Sequence, residues 1–478
     1  MGNQKYEGDP TFLGAVVAYA RHNVQSWHTP GHKQGRGASR WLQASMGSAL
    51  QCDLSDVLYD PSSNHSWDQL LFEAEKRAAA LFGAAWTRFL VNGTSGGVHA
   101  MLVAALREGD VVVVPRQAHL CVAGGLVLSG AMPCYVPMRV DPVTQVPLPV
   151  GPEEYADALQ RAPEARAVVV TYPNYYGLCG DLQAIAALSQ AHGVWLLVDE
   201  AHGAHYAFHP RFPRPALACG AHVVAQSTHK TLGALTQASM LHAAVDADIE
   251  ALERALGVLQ TTSPSSLLLA SLDSARAQME AQGESLWTQA IRVADELREA
   301  LGALPGVCCL AADDLEAIAH GWDPTRLIVG CEGVGGLELA AALRLEFGVQ
   351  VEMADTRYCV ALVGLGDNMA HGRRLVAAID ALRQTLPRSR RQALAYPGLP
   401  PVVLSPRQAA QAKCERVSWG AAVGRIAGQT LCPYPPGVPV LVPGEVVTEE
   451  VVEYLRRAKE SGFHIRGDAG DGAVTVVA

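Results

Sequence analysis

The chain has 478 residues, 49% of them hydrophobic and 18% charged, which is material for about two or three packed domains and rules out a disordered protein. A formal charge of −10 and a pI near 5.9 exclude a basic face built for nucleic acid or an anionic membrane. The 11 cysteines form no CxxC pair, and Cys308-Cys309 are adjacent, a pattern that fits a reducing cytoplasm better than a disulfide framework.

Taken in order, the opening MGNQKYEGDPTF lacks the basic-then-apolar pattern of a signal peptide, and Tyr6 stands where a myristoylation start needs Ser or Thr. No run of about 18 apolar residues suits a membrane span. Residues 11–22 predict a short amphipathic helix. The segment His28-Thr29-Pro30-Gly31-His32-Lys33-Gln34-Gly35 predicts an irregular loop whose polar groups read as ordinary surface. A polar loop, QCDLSDVLYDPSSNH, follows at 51–65. Ser66 and Gln69 have capping-box spacing, so the next helix is expected to begin at Trp67 and to stop at Gly83.

Phe89-Leu90-Val91 predict a strand running into the turn Asn92-Gly93-Thr94-Ser95-Gly96-Gly97 and then a helix through VHAMLVAALREGD. Strand, glycine-rich turn and helix start can hold a phosphate, although a plain connection reads the same way. VVVVP predicts the next strand, and His119 follows it, where a histidine is most often structural or merely exposed. AVVVTYPNYYGLCGDL and LQAIAALSQAHG continue an α/β alternation, which predicts a mainly parallel sheet. Tyr172–Gly177 forms a turn over the same strand ends, in which a tyrosine serves packing or contact.

The central stretch carries the chemistry. VWLLV ends in Asp199-Glu200-Ala201-His202-Gly203, and HVVAQ ends in Ser227-Thr228-His229-Lys230. In an open α/β sheet ligands bind at the carboxyl ends of the strands, so the acid and the amine should face one crevice. That pair suits pyridoxal phosphate (PLP): a lysine forms a Schiff base, and a buried Asp keeps the pyridine nitrogen protonated. A rival metal site from His202, His205 and His209 with Asp199 and Glu200 needs a helix that Gly203 and Pro210 interrupt, so no metal is expected.

Beyond residue 280 a long charged helix, with IRVADELREALGAL at 291–304, predicts passage into a smaller α+β domain. There, 327–353 reads strand, helix, strand. The basic, proline-punctuated 386–407 reads as a solvated connector to a last module. The expected divisions are an N-terminal segment 1–50, a large domain 51–285, a small domain 286–388 and a C-terminal module 389–478.

DEAHGAHYAFHP followed by QSTHKTLGALTQ closely resembles the PLP-dependent ornithine/lysine/arginine decarboxylases, whose fold type I architecture is like that of aspartate aminotransferase. The resemblance recurs at HTPGHKQG (28–35), NGTSGG (92–97), TTSPSSLLLASLD (261–273) and YPPGVPVLVPGE (434–445). It implies Lys230 as the Schiff-base residue, Asp199 on the pyridinium nitrogen, Ala201 against the ring with His202 nearby, and His119 stacked on it. It further implies Thr94, Ser95 and Gly96 at the phosphate, with Ser227 and His229 approaching from the lysine side. The PGHK-like segment would lie near the active site and YPPG near its entrance. An active site at a dimer interface is implied too, with Thr261-Thr262-Ser263 reaching the partner's phosphate, hence a homodimer or higher homo-oligomer.

The reaction so implied is decarboxylation of a basic amino acid to its amine and CO2, a chemistry that serves polyamine biosynthesis. Arginine, lysine and ornithine all stay open as substrates. An aminotransferase or lyase reaction also stays open, because the cradle does not choose which bond breaks; a metal-dependent hydrolase and a non-catalytic binding protein stand behind it. The chain departs from the family pattern at Tyr59-Asp60-Pro61-Ser62-Ser63-Asn64-His65 and at Leu120-Cys121 after His119. The 52–68 loop and the C-terminal region are therefore where the substrate head group is expected to be read.

Overall fold

The computed structural model describes residues 11–22, 24–55, 59–60, 65–388, 394–435 and 437–478. Helix α1 (Thr11–Arg21) buries Phe12, Ala15 and Val16 on one face, and Phe12 meets Trp67 edge-to-face at 4.9 Å. Helix α2 (Trp67–Phe82) opens on the predicted capping box: Ser66 Oγ accepts from Gln69 N–H while the Gln69 side chain accepts from Ser66 N–H.

Among the described residues seven strands form the central sheet: β1 (Trp86–Leu90), β2 (Val111–Pro115), β3 (Met132–Val136), β4 (Ala165–Thr171), β5 (Trp195–Asp199), β6 (Val223–Gln226) and β7 (Ser239–Ala243). Their order is β1-β7-β6-β5-β4-β2-β3. Strand β7 is antiparallel to both neighbours and every other pairing is parallel, so the sheet is mainly parallel as predicted. Because β7 reverses twice, β1 runs with the rest, and the carboxyl ends of β1, β2, β4, β5 and β6 share one edge.

Helix α3 (Gly93–Ala105) begins inside the expected glycine-rich turn, which is the helix's own first turn. Packing accounts for this: a side chain at Gly97 would put its Cβ 2.9 Å from Leu90 Cδ1, so the glycine lets α3 lie close against the sheet. Helix α4 (Leu120–Ser129) follows β2, with His119 as its N-cap.

Helix α5 (Ser266–Gly302) is a single element of 37 residues, about 55 Å long, and passes residue 285 without a break. Its middle looks charged in sequence, yet Trp287 is buried against His205 and Phe212, with ring centroids at 4.6 and 5.2 Å. The small sheet has the order β8 (Val307–Cys309), β9 (Arg326–Cys331), β11 (Cys359–Leu362), β10 (Met353–Ala354), with helices α6 (Gly336–Phe347) and α7 (Met369–Thr385). It touches the central domain a second time where Gly321–Trp322 pairs antiparallel with Leu178–Cys179.

The last module packs its own core around Trp419, Leu431, Val451, Leu455 and Val474. No helix among the described residues is long and apolar enough to cross a membrane, and all the cysteines are free thiols.

Candidate active site

The shared strand edge encloses a cavity of about 490 Å³. One end is the start of α3, contributing Gly93, Thr94 and Ser95. Asn92 precedes that helix without a side-chain cap; Gly93 N–H donates to Gln237 O at 3.0 Å, and the N–H groups of Thr94 and Ser95, which the helix does not satisfy internally, face an anion site. Thr94 Oγ1 lies 2.6 Å from Ser227 Oγ, and His229 Nδ1 donates to Ala238 O at 2.8 Å, which brings the end of β6 to the same place. Gly96 takes another part: its N–H donates to Asn92 O at 3.3 Å inside the helix, and a Cβ there would face the Asn92 side chain.

The floor is carried by β5 and the short helix after β6. Asp199 is 4% exposed and, among the described residues, accepts one hydrogen bond, from Ala201 N–H at 3.1 Å. Burial raises its pKa, while Lys230 and the Ala201 N–H pull it back. Lys230 Nζ sits 2.9 Å from His202 Nε2. Burial lowers the pKa of Lys230 and Asp199 opposes that shift. Ala201 and His202 complete this side.

His119 covers the opposite wall. Its Nδ1 accepts the Cys121 N–H at 3.2 Å, so the neutral ring carries its hydrogen on Nε2. Burial, with the positive charges of Lys230 and Arg466, pushes its pKa down to about 4. Tyr434 of the C-terminal module closes the rim, and Gly437 would set a Cβ 3.7 Å from His119. Glu445 of the same module forms a buried ion pair with Arg116, just ahead of His119, at 2.7 Å.

Of the residues expected at the site, Thr94, Ser95, His119, Asp199, Ala201, His202, Ser227, His229 and Lys230 all line this one cavity. Thr262, expected at the partner's phosphate, lies exposed on the bend ahead of α5. His28, His32 and Lys33 lie away from the cavity: His32 pairs with Asp53 at 3.0 Å and Lys33 donates to His28 O. In the 52–68 loop, residues 56–58 and 61–64 lie outside the described residues. The three histidines of the rival metal reading point to different places. His202 faces the cavity, His205 faces Asp323 at 3.1 Å, and His209 Nδ1 accepts from Arg211 N–H at 3.2 Å.

Thr171 and Arg326 have no sequence signal of their own, whereas Tyr175 stands in the turn expected over these strand ends and Cys121 at the departure after His119. Thr171 Oγ1 and Tyr175 Oη are buried on the cavity wall without a partner among the described residues, and the Cys121 thiol is pushed up by burial. Arg326, from the small sheet, reaches His202 from behind with Nη2 at 3.1 Å from Nδ1.

With this geometry in place, the comparisons are informative. The family model described as Orn/Lys/Arg decarboxylase, major domain, matches residues 10–322, and that of the C-terminal domain matches 389–468. The chain is 34% identical over 478 residues to an arginine decarboxylase of Halalkalibacterium halodurans, covering 98% of this chain and 96% of that one. It is 32% identical over 468 residues to an arginine decarboxylase of Bacillus subtilis, covering 96% and 95%. The crystal structure of a lysine decarboxylase of Francisella novicida matches with a TM-score of 0.83 at 22% identity, over 98% of this chain and 82% of that one.

Proposed function

The chain belongs to the Orn/Lys/Arg decarboxylase family, an enzyme that converts a basic amino acid to its amine and CO2, and from that premise we propose that its substrate is L-arginine and its cofactor PLP, held by Lys230. The relatives at 32–34% identity over nearly the whole chain support arginine. A lysine decarboxylase of Pseudomonas aeruginosa stands at 27%, which makes lysine the alternative to test.

For the cofactor the carrying observation is a buried amine, Lys230, set in one cavity with an uncapped helix start and a buried carboxylate, Asp199, that has an oxygen to spare. The unpartnered hydroxyls of Thr171 and Tyr175 on the same wall fit a polar occupant. In this reading Thr94, Ser95, Ser227 and His229 hold the phosphate, Asp199 the ring nitrogen, and Ala201 and His119 the two faces of the ring. PLP, when bound, supplies a carbonyl that captures the substrate amine and a ring that takes up the electron pair left as CO2 departs.

The chain's own residues do the rest. Lys230 as a free amine is the nucleophile, and its burial favours that form. Asp199 holds a proton on the group it faces, because a carboxylate buried beside a cation favours the charged pair. His119, depressed to about 4, stays neutral near pH 7 and adds no charge to the cavity. Thr171 and Tyr175 line the wall, and Tyr434, half exposed, stands at the rim.

Exposed Trp27, Trp41, Leu42 and Met46 on the N-terminal segment support a homo-oligomer, whose mass in solution light scattering measures. The free thiols support a reducing, cytoplasmic setting.

The test has two arms. Borohydride reduction of the holoprotein followed by peptide mapping should place the cofactor label on Lys230; a label elsewhere, or none, removes the cofactor assignment. A panel of arginine, lysine and ornithine, each assayed for amine and CO2, should give turnover fastest on arginine. A keto acid product would indicate transamination instead.

A further inference from the structure

The contact between His202 and Arg326 constrains the proton inventory of Lys230. Arg326 opens β9 of the small sheet, is 2% exposed, and stands 124 residues from His202. Its Nη2 lies 3.1 Å from His202 Nδ1 and 3.3 Å from the His202 carbonyl oxygen. A guanidinium has only hydrogens to give, so Nδ1 must be the acceptor. An imidazole carries at least one ring hydrogen, which therefore sits on Nε2. That nitrogen is the one 2.9 Å from Lys230 Nζ. An ammonium has no lone pair, so the Nε2–H can be accepted only by an uncharged amine.

We infer that Arg326 is a positioning residue: by fixing His202 as the Nε2–H tautomer, it holds Lys230 as the free amine that can attack a carbonyl. The anchor behind it is firm. Asp323 Oδ2 lies 3.3 Å from Arg326 Nε and 3.1 Å from His205 Nε2, and Asp323 N–H donates to Gly177 O at 2.9 Å. Although burial alone would raise Asp323, His205 and Arg326 hold it below the ordinary carboxylate value. Arg326 thus reaches the cavity through the seam where the small sheet meets the central domain.

Lys230 faces Asp199 and Glu352, which favour the ammonium, and Arg326, which opposes it, with Cys121 also near. His202 faces Lys230, Arg326, His119 and His205. Burial acts first on both and disfavours charge on either. The purpose given to the free amine rests on the reading of Lys230 as the cofactor lysine, but its ionisation is measurable without cofactor.

In the full-length chain freed of cofactor, competitive acetylation with trace acetic anhydride, read by mass spectrometry, gives the fraction of Lys230 present as amine at each pH. The wild-type midpoint is expected below the ordinary lysine value of about 10.4. R326M should raise it by about one pH unit or more, because Nδ1 can then carry the ring hydrogen and Nε2 can accept from an ammonium. R326Q, which keeps an N–H donor without the charge, should recover at least half of that change. An R326M midpoint equal to wild type overturns the inference. So does R326Q equal to R326M, which would assign the effect to charge alone.

Should the variants fail to fold, ¹⁵N NMR of the wild-type full-length chain with labelled histidines decides the point. His202 as Nε2–H supports the inference and His202 as Nδ1–H overturns it. A borohydride label away from Lys230 would fail the cofactor reading while leaving this tautomer measurement readable, so the two failures are distinguishable.

Discussion

Two buried arginines fasten outlying parts of the chain beside cavity histidines, and they do so differently. Arg116, three residues before His119, meets both oxygens of Glu445 at 2.7 and 3.1 Å and donates to Val440 O at 2.6 Å. Glu445 also accepts from Val442 N–H at 2.8 Å. That junction, which docks the C-terminal module, is closed on itself. Arg326, docking the small sheet, meets Asp323 through Nε, leaves Nη1 without a partner among the described residues, and gives Nη2 to His202. The same residue type at the same kind of seam is in one case spent on cohesion and in the other left open toward the chemistry.

The largest expected effect tests the closed junction. E445A leaves the Arg116 charge buried and uncompensated, and should cost about 3–5 kcal/mol, read as a fall in the urea unfolding midpoint. Replacing both partners by apolar residues, R116M with E445L, should recover most of that loss. Neither variant should move the Lys230 ionisation midpoint; a shift there would break the comparison.

Two glycines sharpen it with no change in charge. Gly177 has φ +82 and a Cβ there would lie 2.5 Å from Arg326 Cγ, whereas Gly444 has φ +93 and a Cβ there would lie 2.2 Å from Leu404 O. Alanine at either position should cost on the order of 1–3 kcal/mol for the strained backbone. G177A should also displace Arg326 and raise the Lys230 midpoint, whereas G444A should lower stability alone. Equal midpoints in the two variants would remove the distinction between the open and closed junctions.

The difference between the junctions also marks what a sequence reveals. Asp199 ends an apolar strand and Thr94, Ser95, His119, Ser227 and Lys230 lie within a few residues beyond one, and a mainly parallel sheet brings such positions to one edge by construction. Strand, turn and site are there a single local signal. Arg326 and Asp323 have no such signal, since DPTR reads as any turn ahead of a strand and the meeting of Arg326 with His202 depends on the long-range antiparallel pairing of 178–179 with 321–322. The expected division at 285 relied on the charged look of the α5 middle, but Trp287, Ile291, Ala294 and Leu297 bury one face of a helix that continues through it. Gly96 shows a finer limit: composition marks a glycine-rich helix start without telling which glycine faces a ligand and which lets the helix turn.

The smallest expected effect joins the two regions. Burial first, then the charges of Lys230 and Arg466, push His119 from the ordinary histidine value to about 4. Between about 4 and about 6.5 the unfolded chain holds a proton that the folded chain has released, so stability rises as pH rises across that window. H119F should flatten this part of the profile, a difference on the order of 1 kcal/mol or more in unfolding free energy between about pH 4.5 and 6.5. An H119F profile as steep as that of wild type between those pH values would show that the buried imidazole is not what ties stability to pH there.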